Sequence, residues 1–452
     1  MSRTIRIRKG ADIRLQGRPA AQVVDAQRSA VYAIQPSDFH GVIPKMEARP
    51  GDRLQAGDVL FRDKEKPEVV YLSPVSGVLK EVVRGAKRRI LAVEVEADAT
   101  DTFRSFPTLD PQRASREEIL AAVLQGGLFP FFEQRPFAVP ANPADRPRAI
   151  YISGFSSAPL APDMGTVLAG RMEDFQAGVW ALGKLAGEGG VHLGVRPGDS
   201  VYAGVKGVEV TAFEGPHPAG NVGVQIHWTH PVNKGEVIWT MHPEDVVALG
   251  HLLTHGHYRM DRVVAAGGSE HPSPQHYRVR MGSRADVLMG GAAYSDRVRV
   301  VSGDVLSGTQ VQAGGYLGAK HHQLAMLPEG RDPKFLLTEG WLSPGLNKFS
   351  LSRAFPTWLL PKSKEFALDT NNNGEHRAFV VSGQYEAVFP FDILPVHLVK
   401  SILANDIDGM ERLGIYEVAP EDFALCEFSC TSKMELQHIV REGLDLLQNE
   451  LG

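Results

Sequence analysis

The chain has 452 residues, only two of them cysteine, with 43% hydrophobic and 22% charged residues and a formal net charge of −5. That length exceeds one domain of roughly 100–200 residues, and the composition excludes disordered and fibrous classes. Two cysteines cannot build a disulfide framework, no run approaches the roughly 18–20 apolar residues of a spanning helix, and the acidic balance leaves no basic face for nucleic acid.

The opening "MSRTIRIRKG" lacks the apolar core of a signal peptide, so a cytoplasmic chain is expected. "RIRKG" and "RGAKRR" are small basic patches that read as solvated edges. Over residues 44–97, apolar residues come in short sets punctuated by Gly51, Gly57, Gly77 and Gly85, which predicts short strands closing a small barrel or sandwich. "RPGDRLQAGDVLF" followed by "SPVSGVL" resembles the biotinyl/lipoyl carrier family. Lys64 and Lys66 fall where that family carries its modified lysine, but the flanking methionines are missing and Pro67 follows directly, so a structural barrel is expected.

Ser115 and Glu118 predict a capping box for one helix in a connector over 100–145. "FPFFEQRPFAVP" is too proline-rich for regular structure and too aromatic for water, so it is expected to pack between domains. "RAIYISGF" at 148–155 opens an α/β unit. Leu168, Met172, Phe175, Val179 and Leu182 then mark one face of a helix, strands follow near Val191–Val195 and Val208–Phe213, and a helix spans 243–256. Strands alternating with helices predict a parallel, Rossmann-like open sheet. Its first loop, "SGFSSAPLAPDMG", has neither the glycines nor the free backbone N–H groups of a dinucleotide site. Residues 258–330 return to strands and suggest a β-grasp-like (SLBB-type) module. From about 394 the pattern is helical, with Ser432 and Glu435 as a second capping box before Leu436, Ile439, Val440, Leu444 and Leu447.

Candidate chemistry is sparse. Cys426 and Cys430 lack the partners a four-thiolate site needs, leaving packed thiols, an intersubunit role or the remains of an older site. "DTNNNGEHR" from Asp369 copies half a calcium loop, but Val380 stands where the bidentate glutamate belongs, so a polar turn is expected. His251, His255, His257 and the pair His321–His322 are the densest histidine groups and read as surface or capping residues. The loop "FEGPHPAGNVG" reads first as a structural turn, and the alternative is that His217, projecting from it near the carboxyl edge of the sheet, hydrogen-bonds a ring carbonyl or hands it a proton.

The order of these parts, with "RIRKGADI", "RPGDRLQAGDVLF", "FEGPHPAGNVG", "VVSGDVLSGT" and "LNKFSLSRAF", closely resembles the NqrA family, which belongs to the bacterial Na+-translocating NADH:quinone reductase. More distantly it is similar to RnfC and the NADH-binding subunit of complex I. The resemblance implies four parts: 1–100, a β domain with a biotinyl/lipoyl-like barrel; 101–257, a connector and the Rossmann-like domain; 258–330, the β-grasp-like module; and 331–452, a C-terminal helical bundle with a degenerate cluster motif. It also implies a peripheral subunit on the cytoplasmic side of the inner membrane, partnered by NqrB to NqrF and reaching the membrane only through them. NADH, flavins and iron centres would then reside in partner subunits and no cofactor in this chain, with Cys426 and Cys430 the remains of a lost iron–sulfur site. Ubiquinone is the candidate ligand, with Phe155 stacking on its ring and His217 on its carbonyl, and a ligand-free scaffold is the alternative.

Overall fold

The computed structural model describes residues 3–332, 334–340 and 342–451, with the side chain of Leu451 left out. Four sheets organise the chain. Val31–Ile34, Ile90–Ala97, Gly77–Arg84 and Arg53–Leu54 form one antiparallel sheet, and Pro44–Met46, Val59–Asp63 and Val70–Leu72 form a second. Together they make the small β structure anticipated from the glycine-punctuated apolar sets. Its interior holds Leu60, Val75, Leu79 and Val93, with Phe61 stacked on Tyr71 at 4.5 Å. Lys66 is no free carrier arm, because its Nζ reaches Pro140 O.

The seven-stranded sheet runs Arg3–Arg6, Glu209–Glu214, Val191–Val195, Ile150–Ser153, Ile238–Thr240, Glu133–Arg135, Val139–Pro140. The first five strands are parallel, Glu133–Arg135 runs antiparallel to them, and Val139–Pro140 runs antiparallel to Glu133–Arg135. Alternation along Ile150–Ser153 sends Ile150 and Ile152 into the main core and Tyr151 into a cluster with Ile226 on the opposite face. Helices Met172–Leu185 and Pro243–His255 cover the first face and Val222–Thr229 the second. The single helix expected through Leu168 is broken: Met164–Leu168 ends before Gly170, whose φ of 71° turns the chain into Met172–Leu185. The aromatic segment also departs from expectation, since Glu133–Arg135 and Val139–Pro140 are the last two strands of the sheet. Its rings do bridge two parts. Phe131 meets Phe39 of the barrel, and Phe129 and Phe132 pack on Trp239 of the sheet.

A six-stranded sheet follows, ordered Thr309–Val311, Val298–Ser302, Gln323–Pro328, Asp261–Gly267, Gln275–Arg280, Ala20–Asp25. The chain's first 25 residues thus supply one edge strand to each large sheet. Between them, Gly17 rests on Gly268, where an added Cβ would sit 2.2 Å from Gly268 O.

The C-terminal helices Pro395–Leu403, Ile407–Arg412, Ala424–Ser429 and Leu436–Leu451 share a core built on Leu398, Phe423, Leu436, Val440 and Leu444. This part docks on the α/β sheet through polar contacts: His227 Nδ1 lies 2.6 Å from Glu417, Trp228 donates to Pro390 O, and Arg441 donates to Phe137 O. The second capping box is not formed. The helix starts only at Leu436, past Glu435, and Ser432 Oγ donates to Ala378 O. Among the described residues no helix is long and apolar enough to cross a membrane.

Candidate functional site

A parallel sheet leaves a crevice beyond the carboxyl ends of its strands, and here that crevice is a cleft of about 340 Å³. One wall comes from Ser153, Phe155 and Ser156 after the central strand, with Thr240, Met241 and His242 after its neighbour. The opposite wall comes from the six-stranded sheet, with Asp304, Lys320, His321, His322 and Gln323.

Phe155 lies in the lining, with the Arg196 guanidinium 4.9 Å from its ring centroid. His217 is not among the lining residues. It sits behind the wall, only 4% exposed, with Nδ1 3.1 Å from Ser157 Oγ. Ser157 Oγ in turn accepts from Gly220 N at 2.8 Å, tying the imidazole to the loop that borders the cleft. His217 N donates to Asp12 Oδ1 and its carbonyl accepts from Ala11 N, so the chain's N-terminal strap braces the loop. Burial lowers the His217 imidazole's basicity against the opposing pull of Asp304 and Asp12, which favours a neutral ring.

The sequence does not single out His242, and His321 and His322, read there as surface or capping residues, line the cleft instead. His242 caps the helix Pro243–His255 by accepting from Glu244 N, and its ring stacks on His322 at 3.5 Å and 14°. His322 Nδ1 lies 2.8 Å from Glu244 Oε2, while Arg171 donates to Glu244 Oε1 at 2.8 Å. Burial opposes ionisation of Glu244, yet His322, Arg171 and Arg262 hold its carboxyl well below the usual range. Arg262 pairs with Asp245 at 2.5 Å. Both acids stand in the first turn of their helix, where the backbone dipole favours negative charge. "HPED" carried a visible start signal for this helix, but His321 and His322 reach it from another sheet, which no spacing reveals.

The cleft therefore presents an aromatic ring, hydroxyls, imidazoles and Lys320 above a neutralised ionic floor. Such a lining suits a small planar ligand with polar edges. It offers no glycine-rich cradle: Pro159 and Pro162 interrupt the loop after the central strand, as the sequence indicated.

One consequence is a pH dependence. Burial pushes the His321 imidazole down to about 4, outweighing the attraction of Asp304, whereas an unfolded imidazole titrates near 6.5. The unfolded chain takes up the proton first, so stability is full above about 6.5 and drains away as pH falls towards about 4, by roughly 3 kcal/mol in all. The melting temperature is expected to drop steadily across that window and to drop less in His321→Gln. Equal slopes for the two proteins would refute the assignment.

Cys426 and Cys430 are 1% and 2% exposed within the C-terminal core. Tyr385 OH donates to Cys430 Sγ at 2.8 Å, and burial pushes the Cys426 thiol up. Asp369, Asn371 and Asn373 spend their side chains on successive local turns, and Asp369 also pairs with Lys334. His251 and His255 face Asp174, outside the cleft.

Comparison with known proteins gives three domain matches in register: an NqrA N-terminal barrel-sandwich hybrid domain at 5–98, an NqrA second alpha/beta domain at 114–258, and an NQRA C-terminal domain at 263–313. A curated relative in Pseudomonas aeruginosa, the NqrA protein of a Na(+)-translocating NADH-quinone reductase, is 37% identical over 454 residues, covering 99% of this chain and 100% of the relative. The chain belongs to the NqrA family. Relatives of the same name in Yersinia pestis and Rhodopirellula baltica are 35% and 36% identical, spanning 99% and 98% of this chain and 100% and 98% of their own lengths. Among solved structures, an NAD+-reducing [NiFe]-hydrogenase aligns at 14% identity with a TM-score of 0.42, over 73% of this chain and 64% of that one. The barrel-sandwich description of the NqrA family agrees with the paired antiparallel sheets at the N-terminus.

Proposed function

We propose that this chain serves as the NqrA component of a Na+-translocating NADH-quinone reductase, peripheral and on the cytoplasmic side of the membrane, and that it acts at the quinone-reduction end. Full-length similarity to proteins of that name supports membership of the complex. The cleft at the strand ends supports the place at the quinone end. Phe155 offers a face for the quinone ring, and the neutral His217 acts from behind the wall, where its contact with Ser157 Oγ, which accepts from Gly220 N, ties together the two loops that bring Phe155 and Gly220 to the cleft. His217 is thus a positioning residue in this reading.

In the same reading the α/β layer is Rossmann-like, 258–330 is a β-grasp-like module, and the domains divide near 100, 257 and 330. NADH, flavins and iron centres belong to NqrB to NqrF, and Cys426 and Cys430 are what is left of a lost iron–sulfur site. Their packing supports this, since both thiols are enclosed by apolar side chains.

Titrating the purified chain with a short-chain ubiquinone while following tryptophan fluorescence tests the site. Trp239 adjoins Thr240 and Met241 of the lining, so a saturable change is expected. Phe155→Ala should weaken binding by roughly tenfold, the loss of one aromatic contact worth about 1.5 kcal/mol. A flat titration, together with full turnover of a complex carrying Phe155→Ala, would instead establish a scaffold role.

A further inference from the structure

Helix residues four apart lie on one face, so His251 and His255 stand one above the other on Pro243–His255. That helix presses against Met172–Leu185 at an unusually close crossing. A Cβ added to Gly250 would fall 1.8 Å from Asp174 O, and one added to Gly178 would fall 2.1 Å from Val246 O. The backbone contact at Gly250 is thus made by Asp174 itself, and the crossing delivers that residue's carboxylate to both imidazoles. Asp174 Oδ2 lies 3.1 Å from His251 Nδ1, and Oδ1 lies 3.7 Å from His255 Nδ1. The two rings are nearly parallel, 4.3 Å apart. One ligand atom from each of the three residues falls within 4.8 Å of the others.

We propose that Asp174, His251 and His255 form a binding site for a divalent transition metal of the zinc class. Two imidazoles and one carboxylate are a donor set that zinc takes and that calcium or magnesium does not favour. Tetrahedral zinc holds such atoms roughly 3.3 Å apart, given bonds of about 2.0–2.1 Å. Closing from the observed spacing needs only side-chain rotation, which the His255 side chain, 56% exposed, is free to make. Thr254 Oγ1, 2.8 Å from His255 Nδ1, yields its contact as the ring turns. Among the described residues no arginine or lysine pairs with Asp174, so its charge is available to a cation.

The second histidine–carboxylate group, His242, Asp245 and His322, makes the contrast. There Arg262 already neutralises Asp245 and Glu244 engages His322, so an added cation would have to displace a buried guanidinium. The Asp174 site has no such competitor. With three protein ligands it leaves a fourth position for water or for a side chain from another chain, and its metal would clasp together the two helices that cover the sheet.

The test uses the full-length chain without an affinity tag, titrated with zinc by calorimetry and with cobalt by visible absorption. A single saturable site with the spectrum of tetrahedral cobalt is expected, together with a rise in melting temperature on adding zinc. His255→Ala and Asp174→Asn should each weaken binding by more than roughly tenfold, the least expected when even an outer partner of a metal site is lost. Both should also abolish the thermal shift while leaving circular dichroism unchanged. Absence of binding, or binding that both variants retain, would overturn the proposal.

Discussion

Arg135→Ala is expected to destabilise the docking of the C-terminal helices by roughly 3–5 kcal/mol, the cost of leaving buried charge without its partner. Arg135 is 2% exposed on the penultimate strand of the seven-stranded sheet, and it donates to Glu421 while Asp422 lies 3.9 Å away. Two carboxyls sharing one guanidinium, Asp422 buried and Glu421 36% exposed, do not ionise equally. Burial resists the charge on Glu421, but Arg135 prevails and lowers it, whereas burial and the Glu421 charge push Asp422 up to about 7. Removing Arg135 leaves this pair facing the N-terminus of Val222–Thr229, where Gly223 packs against Asp422. Limited proteolysis should then cut near the start of the helical part, well before the sheet unfolds. Arg135→Met combined with Glu421→Gln should regain much of the loss, because the second change removes the stranded charge. If the single variant melts within about 1 kcal/mol of the parent protein, the ion cluster does not hold the two parts together.

Gly250→Ala is expected to cost on the order of 3 kcal/mol, at the upper end for overpacking. The new methyl would meet only backbone of the neighbouring helix, 1.8 Å from Asp174 O and 2.7 Å from Gly178 N, so no side chain can move aside. The helices Met172–Leu185 and Pro243–His255 would have to part, taking Val246, Leu249 and Leu253 from their contacts in the main core. In an exposed helix the same change would stabilise by about 1 kcal/mol through propensity, so the sign alone discriminates. A melting temperature equal to or above that of the parent protein would show that the crossing is looser than the structure has it.

The elements legible in the sequence are those whose partners are near in the chain. The barrel's short strands, the helix Pro243–His255 and the Ser115–Glu118 capping box all follow from local spacing. Reading failed where distant contacts decide. Ser432 has the right neighbour for a cap, but the helix starts only at Leu436 and Ser432 Oγ donates to Ala378 O. Glu133–Arg135 sits among prolines and aromatics and becomes a strand because Ile238–Thr240 offers it a partner. The cleft shows the same limit. Phe155 was legible from its place after a strand, but its opposing wall of Lys320, His321 and His322 arrives from the next sheet, and His217 proves to lie behind Ser157.

The two edge strands drawn from the first 25 residues carry a consequence for biogenesis. Arg3–Arg6 is translated well before its partner Glu209–Glu214, and Ala20–Asp25 well before Gln275–Arg280. At roughly 5–20 residues per second, these leading strands wait on the order of 10–50 s for their mates to be translated. Throughout that interval they are unpaired β templates, open to neighbouring nascent chains. Translation speed across the stretch up to Arg280, more than the stability of the finished protein, should therefore govern how much of it is recovered in soluble form.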